Sequence, residues 1–108
     1  MYIIPIVANK FSCSLEINGE NKNFILEFTY NPVGDMWKMS VLDEGENTLI
    51  SNIPLFPTSN LLGQYGYMNL GSAILIPNSD EVKEEYPSFS TLKENYTLFW
   101  GDNGEFDL

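Results

Sequence analysis

The chain has 108 residues, enough for one domain that buries roughly 60% or more of its unfolded surface and holds a core without metal or disulfide. Hydrophobic residues make up 44% and aromatics 14%, which excludes a disordered chain. Fifteen acids against five lysines and no arginine give a net charge of −10, and Lys10, Lys22, Lys38, Lys83 and Lys93 are scattered singly. Nucleic-acid binding needs clustered cations that displace counterions from phosphates, so that class is excluded, and an acidic surface repels anionic lipid as well.

The opening MYIIPIVANK is apolar but lacks a basic leader region and a small-residue cleavage site, and it is not read as a signal peptide. No apolar run approaches the roughly 20 residues of a membrane-spanning helix. The expected site of synthesis is the cytoplasm.

Residues 2–7 (YIIPIV) are β-branched and apolar, with Pro5 pointing to an edge strand. Residues 11–18 (FSCSLEIN) alternate, with Phe11, Cys13, Leu15 and Ile17 on one face. Asn18-Gly19 follows, the dipeptide that most readily supplies the positive φ of a tight hairpin. The chain returns over 23–30 with Phe24, Leu26, Phe28 and Tyr30 on one face. Pro32 and Gly34 then give turn chemistry. Residues 36–43 form the next strand, with Trp37, Met39 and Val41 facing one way and Met36, Lys38, Ser40 and Leu42 the other.

A polar turn over 44–47 leads to a strand over 48–55, and an irregular stretch follows to Asn69. Strand pattern resumes over 71–77 and again over 95–101. The one helical candidate, SDEVKEEY, has an acidic start and is stopped by Pro87. The expectation is an all-β fold: a small antiparallel β-barrel or sandwich of about seven short strands with little or no helix. Residues 1–101 form one domain in this reading, and 102–108 a loose acidic tail.

The inventory for chemistry is thin. Without histidine the chain lacks the usual general base and the commonest metal ligand. Cys13, alone and in an alternating strand, reads as a small buried apolar residue. No Gly-x-Ser-x-Gly elbow occurs. Asp80, Glu81, Glu84 and Glu85 lack the alternating spacing and the glycine of a calcium loop, and read as a solvated face. No cofactor, no metal and no enzymatic activity are expected.

The stretch LLGQYGYMNLGSAILIP (61–77) carries three glycines. A phosphate loop would need a Lys and Ser or Thr after its last glycine, and a dinucleotide fingerprint G-x-G-x-x-G before a helix. Gly63, Gly66 and Gly71 have neither the spacing nor the context. The stretch reads as a glycine-hinged crossing between strands, and Tyr65 and Tyr67 share one side if it is extended. They either seal the core or face a partner.

The order of these pieces resembles one known family. The carrying stretches are IPIVANKFSCSLEINGENKNFILEFTYN, MWKMSVLDEGENTLISNIPL, NLLGQYGYMNLGSAILIP and ENYTLFWGD, together nearly the whole chain, with Gln-Tyr-Gly-Tyr the most telling step. In this order the chain resembles the small baseplate plug domain of tailed bacteriophages, of the cyanophage contractile-tail type. Two features depart from the pattern: a second hairpin strand with Glu27 where arginines are common, and a more acidic loop over 80–85.

The resemblance implies a structural part of a phage or tail-like bacteriocin baseplate, made in the bacterial host cytoplasm. It would dock near the central hub and spike. Its partners would be hub, spike, wedge or tube-initiator subunits, with several copies around the tail axis and threefold symmetry among the allowed arrangements. It brings no catalytic or ligand residues. Candidate contact residues are Phe56, Pro57, Leu61, Leu62, Tyr65, Tyr67 and Met68. The alternative is a small carbohydrate- or peptide-binding β-module using Trp37, Tyr65, Tyr67, Tyr96 and Trp100, which burial of both tryptophans would disfavour.

Overall fold

A computed structural model of the protein describes residues 2–6, 10–34, 36–57, 60–80 and 92–105. Its first long element, β2 (Lys10–Ile17), alternates as the sequence does, with Cys13 and Ile17 buried and Phe11 and Leu15 half-buried. Asn18 (φ 54°) and Gly19 (φ 83°) are both left-handed, as a two-residue primed turn requires. That turn sets the register of β3 (Glu20–Asn31) from Ile17 opposite Glu20 to Lys10 opposite Glu27. A slip of one residue would carry Phe24, Leu26 and Phe28 out of the core.

Strand β4 (Met36–Leu42) pairs with β3 so that Tyr30 faces Trp37, Phe28 faces Met39 and Leu26 faces Val41. Strand β5 (Thr48–Pro54) pairs with β4 through two register shifts. At the first, Ser51 and Asn52 oppose Ser40 alone; Asn52 takes φ 57° and donates its backbone N–H to Ser40 Oγ at 3.1 Å. These bulges twist an edge that would otherwise offer a flat ladder to other chains.

The order β2-β3-β4-β5 makes one antiparallel sheet. The second is β1 (Tyr2–Ile4), β7 (Tyr96–Gly101) and β6 (Ser72–Pro77), in the order β1-β7-β6. β1 is an edge strand and stops before Pro5, which has no N–H to continue the ladder. The last strand in sequence is thus the central strand of its sheet.

The inner faces meet in one core. Phe24 from the first sheet lies 5.2 Å, centroid to centroid, from Trp100 of the second. Trp100 is 0% exposed and its indole Nε1–H donates to the Leu70 carbonyl at 2.8 Å, so its one polar group is satisfied. Along the β1/β2 side the sheets are linked by a side chain, Tyr2 Oη accepting the Glu16 N–H at 3.2 Å, and among the described residues no strand ladder closes the gap. The all-β expectation holds, and of its two forms the molecule takes the sandwich and is not a closed barrel.

Helix is confined, among the described residues, to a 3-10 segment at Gly63–Met68 and one turn, α1 (Leu92–Asn95). Most of the helical candidate SDEVKEEY, with Glu81, Glu84 and Glu85, lies outside the described residues. Residues 102–105 are not loose. They form a turn tied to the body by hydrogen bonds described below, and 106–108 lie outside the described residues.

Candidate docking surface

The crossing from β5 to β6 is built around Asn60. Its Oδ1 accepts the N–H of Leu62 at 3.0 Å and of Ala73 at 3.1 Å, while the Leu61 N–H donates to the Ala73 carbonyl at 2.7 Å. An amide side chain thereby ties the loop to the outer edge of β6. This turns Leu61 (8% exposed) and Leu62 (1%) into the core.

The chain then winds through the 3-10 segment, with Gly63 N–H donating to Asn60 O at 3.1 Å and Tyr65 N–H to Leu62 O at 2.9 Å. Asn69, left-handed at φ 55°, ends it. Because the segment is 3-10 and not extended, the two tyrosines do not share one side. Tyr65 and Met68 are half-buried against the core, whereas Tyr67 is 78% exposed. Phe56, at the start of the crossing, is 42% exposed, and Pro57 is half-buried.

Gly71 completes the hinge. It has φ +95°, and a Cβ there would strike the Gly101 carbonyl oxygen. Only glycine permits both the backbone angle and this approach of β6 to β7.

A polar clasp fixes this end of the sandwich. The Asn18 N–H donates to Asp102 Oδ1 at 2.9 Å, and the Asn103 N–H donates back to Asn18 Oδ1 at 2.9 Å. Asn103 Oδ1 accepts the Gly71 N–H at 2.8 Å, and its Nδ2 donates to Gly66 O and Asn69 Oδ1, each at 3.2 Å. The Gly104 N–H donates to the buried Ser72 Oγ at 3.0 Å. The β2–β3 turn, the 3-10 segment and the turn after β7 are thus one hydrogen-bonded unit. Asn, Asp and Gly are the ordinary residues of turns, so local sequence signals each turn but not that the turns bind one another.

The ion pairs lie at the surface. Lys10 Nζ lies 2.7 Å from Glu46 and 4.0 Å from Glu27, and Lys22 lies 3.2 Å from Glu20. The hydrogen bond and charge of Glu46 raise the Lys10 ammonium above its ordinary range, and Lys10 lowers Glu46 in turn. Cys13 is buried, and desolvation pushes its thiol up to about 12, which leaves no thiolate at neutral pH. Among the described residues no three His, Cys, Asp or Glu side chains are grouped to hold a metal, and no helix is long and apolar enough to cross a membrane.

Of the aromatics weighed for a sugar platform, Trp100 and Tyr96 are buried. Trp37 is half-buried, its ring 5.5 Å from that of Tyr30 at 60°. These features define a structural β-sandwich whose polar side chains tie loops together and whose most exposed aromatic, among the described residues, sits on a hydrogen-bonded turn. The chain belongs to the family described as cyanophage baseplate Pam3 plug gp18, whose model matches residues 1–103. Membership indicates a structural role in a phage tail baseplate. No curated protein matches the chain.

Proposed function

We propose that this protein docks by protein–protein contacts near the central hub and spike of a contractile-tail baseplate, in several copies around the tail axis. The observation that carries the docking reading is Tyr67: a large aromatic, 78% exposed, on a 3-10 turn held from both sides by Asn60 and Asn103. A preorganised aromatic loses little entropy on binding and supplies much contact area. Leu61, Leu62, Tyr65 and Met68 support that turn from beneath, and Phe56 with Pro57, following Leu55 whose N–H donates to Trp37 O, offers a separate candidate contact. The net charge of −10 suits a wall beside a channel that DNA passes without sticking.

The test is co-purification of tagged protein with the hub, spike, wedge and tube proteins of its particle, for wild type, Tyr67→Ala and Phe56→Ala. Wild type is expected to capture hub-proximal subunits and Tyr67→Ala to lose them while remaining folded. Equal capture by all three chains would remove this surface from the interface. A chain that captures no baseplate protein but binds soluble glycans would overturn the structural reading in favour of a carbohydrate module.

A further inference from the structure

The chain contains two Asn-Gly pairs, Asn18-Gly19 and Asn103-Gly104, and the fold brings them together although 85 positions separate Asn18 from Asn103. Asn-Gly is the pair most open to spontaneous deamidation, because glycine leaves its own nitrogen unshielded beside the asparagine amide. The two pairs are held very differently. Asn18 and Gly19 are both exposed, a Cβ on Gly19 would meet open space, and the bond to the Asn18 side chain is one donated to Oδ1. The Asn103 side chain makes three bonds, and the Gly104 nitrogen, which would have to attack, is engaged by buried Ser72.

We infer that Asn18 is a spontaneous modification site whose conversion opens the clasp and only then releases Asn103 to react. In the first step the Gly19 backbone nitrogen bonds to Asn18 Cγ while the Cγ–Nδ2 bond breaks. The amide group leaves as ammonia, carrying the proton from the Gly19 nitrogen. Water then opens the succinimide ring, adding hydroxyl to one carbonyl carbon and a proton to the ring nitrogen, and yields aspartate or isoaspartate. No oxidant or reductant is needed.

Either product damages the clasp. A new carboxylate at position 18 stands beside Asp102, which already accepts the Asn18 N–H, so two like charges face one site. Glu105, whose Oε1 lies 3.4 Å from the Asp102 nitrogen, adds a third acid. Isoaspartate also inserts an extra backbone carbon into a two-residue turn whose length fixes Ile17 opposite Glu20. The clasp holds the 3-10 segment through Gly66 and Asn69, so its opening loosens the platform of Tyr67.

The test follows amide-to-acid conversion at each site by mass spectrometry of the full chain at 37 °C, folded and in urea. In urea both pairs are expected to convert at similar rates. In the folded chain Asn18 is expected to lead Asn103 by about tenfold or more, equivalent to about 1.4 kcal/mol of barrier. Fragmentation of the intact protein is expected to find Asn103 conversion only in molecules already converted at Asn18. In a folded Asn18→Asp variant, Asn103 should approach its rate in urea. Conversion of Asn103 first or at equal rate, folded chains resistant at Asn18, or an Asn103 that stays protected in folded Asn18→Asp would each overturn the inference. Should that variant not fold, the order of conversion in wild type decides.

Discussion

The two ends of the sandwich are finished by different physics. Strand β3 runs away from the clasp and β7 runs toward it, so Asn18, Asp102 and Asn103 mark one end and Asn31 and Tyr96 lie toward the other. At the clasp, side-chain amides and carboxylates satisfy the backbone of three separate loops. Toward the far end, the β3–β4 turn is held by a single described side-chain bond, Asn31 Oδ1 accepting the Val33 N–H at 3.1 Å, and Val33 is 96% exposed. A cleft of about 350 Å³ opens there between Ile3–Ile6 and the start of β7. At one end polar side chains cross-link three loops; at the other the β3–β4 turn relies on local turn chemistry. There Asn78 ties the end of β6 to the start of β7, its N–H donating to Asn95 O at 2.7 Å and its Nδ2 to Glu94 O at 3.1 Å.

The largest test of this contrast compares two glycines. Gly71→Ala must place a Cβ against the Gly101 carbonyl at φ +95°, and is expected to cost about 3 kcal/mol or more. At the far end a Cβ on Gly34 would meet nothing nearer than Asn31 Nδ2 at 3.8 Å. Gly34→Ala should therefore stay within about 0.5 kcal/mol of wild type. Urea denaturation of both variants measures the difference, and equal losses would erase the distinction between the ends.

Next in size is Asn103→Ala. It removes three side-chain bonds at once, each worth about 1 kcal/mol net before discounting for exposure, so a loss of about 2 kcal/mol is expected. Asn31→Ala removes one such bond and should cost about 1 kcal/mol or less. Hydrogen exchange gives the sharper readout, since Asn103→Ala should deprotect Gly71 and the 3-10 segment together. Deprotection of Gly71 alone would mean that the clasp is a set of independent bonds.

These residues also show what could be read in the sequence. The β2–β3 hairpin was fully legible, because alternation and Asn18-Gly19 are local signals and fix the register between them. The crossing was legible as a glycine hinge but not as a 3-10 turn. Its winding depends on Asn60 reaching Ala73 and on Asn103 reaching Gly66, contacts that no local pattern encodes. Residues 102–105 looked like a tail because Asp, Asn and Gly favour solvent, and their partners are distant in sequence: Gly66, Asn69, Gly71 and Ser72, and Asn18 in the first hairpin turn. Of the candidate contact residues, periodicity could not separate Leu61 and Leu62 from Tyr67, since side-chain direction there is set by the turn.

A smaller effect is expected from acid at the β4–β5 turn. Asp43 accepts the N–H groups of Asn47 and Gly45, both at 2.9 Å. The Asn47 backbone bond is the main cause holding its carboxyl below the ordinary carboxylate range, with the Asn47 side chain and the Gly45 N–H adding to it. A carboxyl depressed in the folded state contributes stability that is complete above its unfolded pKa, near 3.9, and is lost as pH falls through the folded value. Asp43→Asn should flatten the fall in stability below about pH 4 relative to wild type. Superimposable acid limbs would show that the turn is not linked to folding.

The last contrast separates two tyrosines that stand two positions apart. Tyr67, on the outer side of the 3-10 segment, should tolerate alanine within about 0.5 kcal/mol, because truncation there removes almost no buried area. Tyr65 packs against the core and should lose about 1–2 kcal/mol on the same change. Near-zero cost in the isolated chain, set against lost capture of baseplate partners, is the signature of a residue that serves an interface. A destabilisation of Tyr67→Ala equal to that of Tyr65→Ala would instead make both tyrosines part of the core, and the clasped turn would then be a lid on the sandwich with no docking role.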